Sequence, residues 1–180
     1  MARTIRACCL IAIAALLVVA LLPRPAAAAQ DETVNAFVAW QGGGQAMRTG
    51  ADETTFIATI AGTVYIMSDQ GPVDAGQMIC PTLLHINGKD RSQSATGRCA
   101  ITARDGAQMF GDLQCTGVFL VGCSGDFTLT GGTTHFAGIT GGGRFTLRSN
   151  TRQMVGATDK TVNATASGIM FWPALHYKIP

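Results

Sequence analysis

The sequence predicts an all-β domain, on three observations. Apolar and polar residues alternate in eight separate runs, Gly-, Asn- and Asp-containing turns divide those runs, and no apolar pattern repeats every 3.6 residues beyond the N-terminal segment. The 22 glycines among 180 residues weigh further against helices. Eight antiparallel strands can close into an up-and-down barrel, which leaves no exposed edge, or pack as a two-sheet β-sandwich.

Residues 1–29 read as an export signal. Arg3 and Arg6 open it, an apolar run follows over 8–22, and Ala27-Ala28-Ala29 supplies small residues for cleavage. The apolar run is shorter than the roughly 20 residues a spanning helix needs, so no integral span is expected once the signal is removed. Cys8 and Cys9 precede the apolar core, against a lipidated cysteine. The expected product is a single domain over 30–180, secreted or periplasmic. It holds ten basic and eleven acidic residues, a net charge of −1. With no basic cluster it carries no electrostatic footprint for nucleic acid.

The strand runs follow in order. Residues 34–40 end at the turn signal Gln41-Gly42-Gly43-Gly44, and 54–67 end at the polar stretch 68–76. Residues 77–86 lead into Asn87-Gly88, then 96–103 turn at Asp105-Gly106 and 108–117 return. The last runs are 123–130, 144–149 and 162–177. The final one contains Pro173, which a strand tolerates at an end or edge. Trp172 beside it is expected to plug or cover one barrel end, or simply to be core.

Four cysteines remain after the signal: Cys80, Cys99, Cys115 and Cys123. An even number in an exported chain predicts two disulfides. Spacings of 19, 16 and 8 offer no close pair for zinc, so no metal or other cofactor is expected. Cys115 and Cys123 can meet across a short hairpin, which leaves Cys80 with Cys99; a Cys99–Cys115 link across the Asp105-Gly106 turn is the rival pairing.

Between the strands at 127–130 and 144–147 lies a glycine-dense corner. Gly131, Gly132, Gly138, Gly141, Gly142 and Gly143 permit positive φ or close backbone approach, and Phe136 and Ile139 supply apolar anchors. Residues 131–145 resemble bacterial secreted proteins that share a barrel with plant allene oxide cyclases and dirigent proteins. Their pattern runs Gly-Gly-Thr-Gly, an aromatic, Gly, then Gly-x-Gly and a strand. Thr134 stands where the pattern has glycine, and His135 is an unusual neighbour. The resemblance implies a small antiparallel barrel and transfers no catalytic residue.

Two functional classes follow. The first is a non-catalytic barrel binding a small apolar ligand or a partner surface, with Phe110, Asp112, Phe119, His135, Phe136 and Trp172 as candidate ligand contacts. The second is a cyclase- or isomerase-like enzyme using a desolvated carboxylate or tyrosine in the lumen. Its candidates are Glu53, Asp112, Asp126, Tyr65 and Tyr177. Asp112 and Gln114 share a strand face with Phe110, and that face is either a polar lumen or a solvated exterior. His85, His135 and His176 have no ligand-like spacing, and neither a G-x-S-x-G nucleophile turn nor a phosphate loop is present. Oligomeric state has no signature in the sequence.

Overall fold

Alternation with period 2 gives every strand one face for water and one for its neighbours, and eight such strands bury all their apolar faces together only by curling into a closed wall. The computed structural model, which describes residues 29–157 and 161–180 and the side chains of these except 151–157, is such a barrel. The expected export signal lies outside the described residues but for Ala29.

The strands are β1 (Gln30–Arg48), β2 (Glu53–Ser68), β3 (Gly71–Asn87), β4 (Ser92–Thr102), β5 (Gln108–Val118), β6 (Gly122–Gly132), β7 (Thr140–Ala157) and β8 (Thr161–Ile179). Each pairs antiparallel with the next, and β8 returns to β1, so the sandwich alternative does not form. One end of the barrel carries the β1–β2, β3–β4 and β5–β6 turns. The other carries the β2–β3 and β4–β5 turns, the glycine corner and the C-terminus.

Two stretches with turn composition are strand. Gly42, Gly43 and Gly44 continue β1, paired with Ile60, Thr59 and Ala58 of β2 on one side and with β8 on the other. Gly42 and Gly44 face close backbone: a Cβ on Gly42 would lie 2.7 Å from the Thr59 carbonyl oxygen, and one on Gly44 would overlap that of Ile57. In the second stretch, Asp69 and Gln70 alone make the β2–β3 turn, and β3 begins at Gly71. A register shift opposite Val64 and Tyr65 absorbs the irregularity: Gly76 adopts φ +140° and donates its N–H to Asp74 Oδ1 at 2.9 Å. Pro173 is accommodated in the same way, beside the shift between Val34 and Ala36 in the β1–β8 ladder.

The glycine corner is a built cap. A 3₁₀ turn over Thr134–Phe136 links β6 to β7, Phe136 packs against the core, and Ile139 is buried. Thr134, at the glycine position of the resembled pattern, has φ +52°. Gly138 (φ +78°) and Gly141 (φ +125°) also occupy the positive-φ region. Gly138→Val is expected to cost about 1–2 kcal/mol for the backbone alone. Gly141→Val should cost more, because a Cβ there would also meet the His176 carbonyl and lie 2.9 Å from the Tyr177 Cα. Thermal unfolding of the two variants checks this, and unchanged melting of both would show that the corner is not structural.

Candidate functional site

The barrel interior is filled. Val38, Met78, Phe127, Phe145, Met170 and Trp172 are each no more than 2% exposed. The Trp172 ring meets Phe127 edge-on at 5.5 Å and Phe145 at 6.1 Å. Both disulfides, Cys80–Cys99 between β3 and β4 and Cys115–Cys123 between β5 and β6, sit in the same packing with the expected pairing. Among the described residues the buried polar side chain is Thr82, whose hydroxyl donates to the Ala58 carbonyl at 3.2 Å. The buried indole N–H groups of Trp40 and Trp172 have no acceptor.

The six residues expected to contact a ligand are not brought together. Phe110 stands exposed on the outer face of β5. Asp112 shares that face and pairs with Arg98 Nε at 3.3 Å, which makes the face an exterior and not a polar lumen. Phe119 belongs to the β5–β6 turn, at the opposite barrel end from His135 and Phe136. Those two are neighbours, with ring centroids 4.1 Å apart, and His135 Nδ1 lies 3.6 Å from Asp105. Trp172 is in the core.

The candidate ionisable groups are equally dispersed. Glu53 accepts from Asn87 Nδ2 at 3.1 Å, Asp126 lies 4.0 Å from Arg144 on the outer face, and Tyr65 stacks on Phe37 at 5.0 Å. Tyr177 packs partly against the core and donates its hydroxyl to Glu32 Oε2 at 2.7 Å. Burial first, and then that bond, pushes its phenol up to about 12. The contribution to stability is therefore complete below the ordinary tyrosine value of about 10 and is lost as pH rises toward 12. Solvent screening of this largely exposed group holds the loss to about 1 kcal/mol or less. Denaturant midpoints above and below pH 10 should separate for the native chain and converge for Tyr177→Phe; an equal pH slope in both would exclude the linkage.

A concave site does exist, on the outside. A groove of about 1000 Å³ crosses the outer face of six strands, from Gly43 and Gln45 on β1 to Asp126 and Thr128 on β6. Its lining follows the ladders from strand to strand. One row is Gln45, Ile57, Leu83, Thr96, Gln114 and Asp126, each paired with the next; the second is Gly43, Thr59 and Pro81, then Arg98, Asp112 and Thr128. Strong twist makes the outer face of a barrel wall saddle-shaped, and Gly43 presents no side chain on it. The groove differs chemically along its length. Ile57, Pro81 and Leu83 form an apolar stretch next to Gln45 and Thr59, with Ile57 56% and Leu83 37% exposed. Thr96, Gln114 and Thr128 with the Arg98–Asp112 pair form a hydrogen-bonding stretch. No single strand carries a signal for this site, because each contributes only two or three unexceptional residues.

The chain is thus an antiparallel eight-stranded barrel with a packed interior and an external groove. It matches no protein-family profile and no curated protein. Among solved structures it is similar to a pterocarpan synthase dirigent protein, at 9% identity and a TM-score of 0.37, over 83% of this chain and 88% of that one. Among the described residues no helix is long and apolar enough to cross a membrane, and no His, Cys, Asp and Glu side chains cluster as metal ligands.

Proposed function

We propose that the protein is an exported, non-catalytic binding barrel that takes an elongated amphiphile in its outer groove. The apolar part of the ligand lies on Ile57, Pro81 and Leu83. An uncharged, hydroxyl-rich head lies on Thr96, Gln114 and Thr128. The observation that carries this reading is the apolar stretch of the groove at Ile57, Pro81 and Leu83 beside hydrogen-bonding groups, on a barrel whose interior is already occupied by side chains. The groove is at the upper end of the roughly 300–1,000 Å³ usual for small-molecule sites. Burial on the apolar stretch supplies affinity at about 25 cal/mol per Å², and the threonine and glutamine groups orient the head. Two disulfides and the features of residues 1–29 support export.

Decyl maltoside below its micelle concentration is a suitable probe. It should raise the melting temperature where maltose alone does not, and Leu83→Asp should weaken its binding roughly tenfold or more by placing a charge under the alkyl chain. No stabilisation, or equal binding to Leu83→Asp, would remove the groove as the site.

A further inference from the structure

A second depression, of about 470 Å³, lies on the outer faces of β7 and β8 and shares no residue with the groove. Its two banks differ. On β7, Thr146, Arg148 and Asn150 stand in alternation along the strand; on β8, Ile169 lies opposite Arg148 and Phe171 opposite Thr146. Ile169 is 53% and Phe171 38% exposed, so the β8 bank offers apolar surface to whatever enters. The cation on the β7 bank is uncompensated. Arg98, Arg104 and Arg144 are each matched with a carboxylate, on Asp112, Asp74 and Asp126, whereas among the described residues Arg148 has none. On the adjoining β6, Asp126 stands opposite Arg144, four residues along β7 from Arg148. That is about 13 Å at strand spacing, beyond the roughly 8 Å over which physiological salt screens exposed charges. On the far bank, Ile169 and Phe171 adjoin Ala39 and Phe37 of β1, which add no charge.

We propose that this depression is a second ligand site, which takes a small aromatic monocarboxylate. The ring lies on Ile169 and Phe171, and the carboxylate meets Arg148. A guanidinium presents its N–H groups as a planar fork that matches both oxygens of a carboxylate. Asn150, on the same bank, supplies an amide donor for a further bond to the head. Thr146 is less available, its hydroxyl lying 3.2 Å from that of Ser124. The charge balance selects the head: one arginine and no acid on the lining call for a single negative charge, and a phosphate monoester would set a second one over apolar side chains. An uncharged ligand would gain nothing from the fork. The β8 bank selects the body, because Ile169 and Phe171 are two positions apart on one face, about 7 Å, the length of a fused two-ring system. A rigid ring covers both without the ordering cost of a flexible chain. The volume falls within the roughly 300–1,000 Å³ of small-molecule sites.

Titration of the protein with 2-naphthoate, followed by amide shifts in nuclear magnetic resonance spectra, tests the proposal. Saturable shifts are expected at 146–150 and 167–171. Arg148→Gln should weaken 2-naphthoate binding by about tenfold or more, the usual effect of losing a hydrogen bond to a charged group. The neutral analogue 2-naphthylmethanol should bind the native chain about tenfold more weakly than 2-naphthoate, and should bind Arg148→Gln and the native chain alike. Arg144→Gln, which removes a guanidinium already facing Asp126, should leave 2-naphthoate binding unchanged. The amide spectra themselves show whether each variant folds, and Ile169→Asp, which sets a carboxylate beneath the ring, replaces Arg148→Gln if the latter does not. No saturable shift at these positions, equal binding of 2-naphthoate to Arg148→Gln, or shifts centred instead on Ile57 and Leu83 would overturn the proposal. The outcome is separable from that of the groove: Leu83→Asp should leave 2-naphthoate binding intact, and Arg148→Gln should leave decyl maltoside binding intact.

Discussion

Trp172→Ala is expected to destabilise the barrel by about 3–5 kcal/mol, the range for deleting a large aromatic from a packed core. The indole is 1% exposed and is held against Phe127 from β6 and Phe145 from the neighbouring β7. Its removal leaves a hole lined by groups from several strands that the hydrogen-bonded wall prevents from closing in. Phe110→Ala, on the exposed outer face, should change stability by only about 0.5 kcal/mol. Equilibrium unfolding in guanidinium measures both. A small effect of Trp172→Ala would mean that the interior is loosely filled and would reopen it as a ligand site.

Loss of the Cys80–Cys99 disulfide should cost about 3 kcal/mol, and loss of Cys115–Cys123 about 2.5 kcal/mol, on the chain-entropy account of cross-links. The order follows from sequence separations of 19 and 8 residues. Both bridges tie neighbouring strands from the inside of the barrel. A reductant therefore meets them only when the wall opens, so they should survive thiols under native conditions and yield once denaturant is added. Paired Cys→Ala variants and thiol labelling with and without denaturant measure this. A reversed order of stability loss, or rapid reduction of the folded protein, would contradict the placement of the sulfurs.

The local grammar of this fold was legible because it resides in neighbouring residues. Asn87-Gly88 and Asp105-Gly106 turn where their chemistry requires, and Phe136 and Ile139 anchor the corner as apolar residues among glycines should. What could not be read was set across strands. Gly42-Gly43-Gly44 has the composition of a turn, and only the approach of β2 shows why a strand needs it. Period-2 alternation shows that Asp112 and Leu113 face opposite ways but not which way is inward, and the pairing of Asp112 with Arg98 on the neighbouring strand resolves it. The ligand contacts expected at Phe110, Phe119, His135 and Trp172 lie on different faces and at different ends of the barrel, which only the closed ring of strands shows. The groove instead takes its lining from six strands spread over the sequence from Gly43 to Thr128.

The seam between β1 and β8 governs how such a chain reaches its folded state. Asp31 binds His176 and Glu32 binds Tyr177, each pair 145 positions apart, so the ring closes through contacts of nearly the greatest separation the sequence allows. The consecutive hairpins from β1 to β7 can assemble as a growing sheet, but until the last-synthesised strand arrives β1 presents a long row of unsatisfied amides and carbonyls, and so does β7. Closing the ring requires β8, the nineteen residues of strand from Thr161 to Ile179, to pair on both sides. A ring that lacks it keeps two open strand edges, which are templates for strand addition, so β8 is the element that separates a closed barrel from an open sheet.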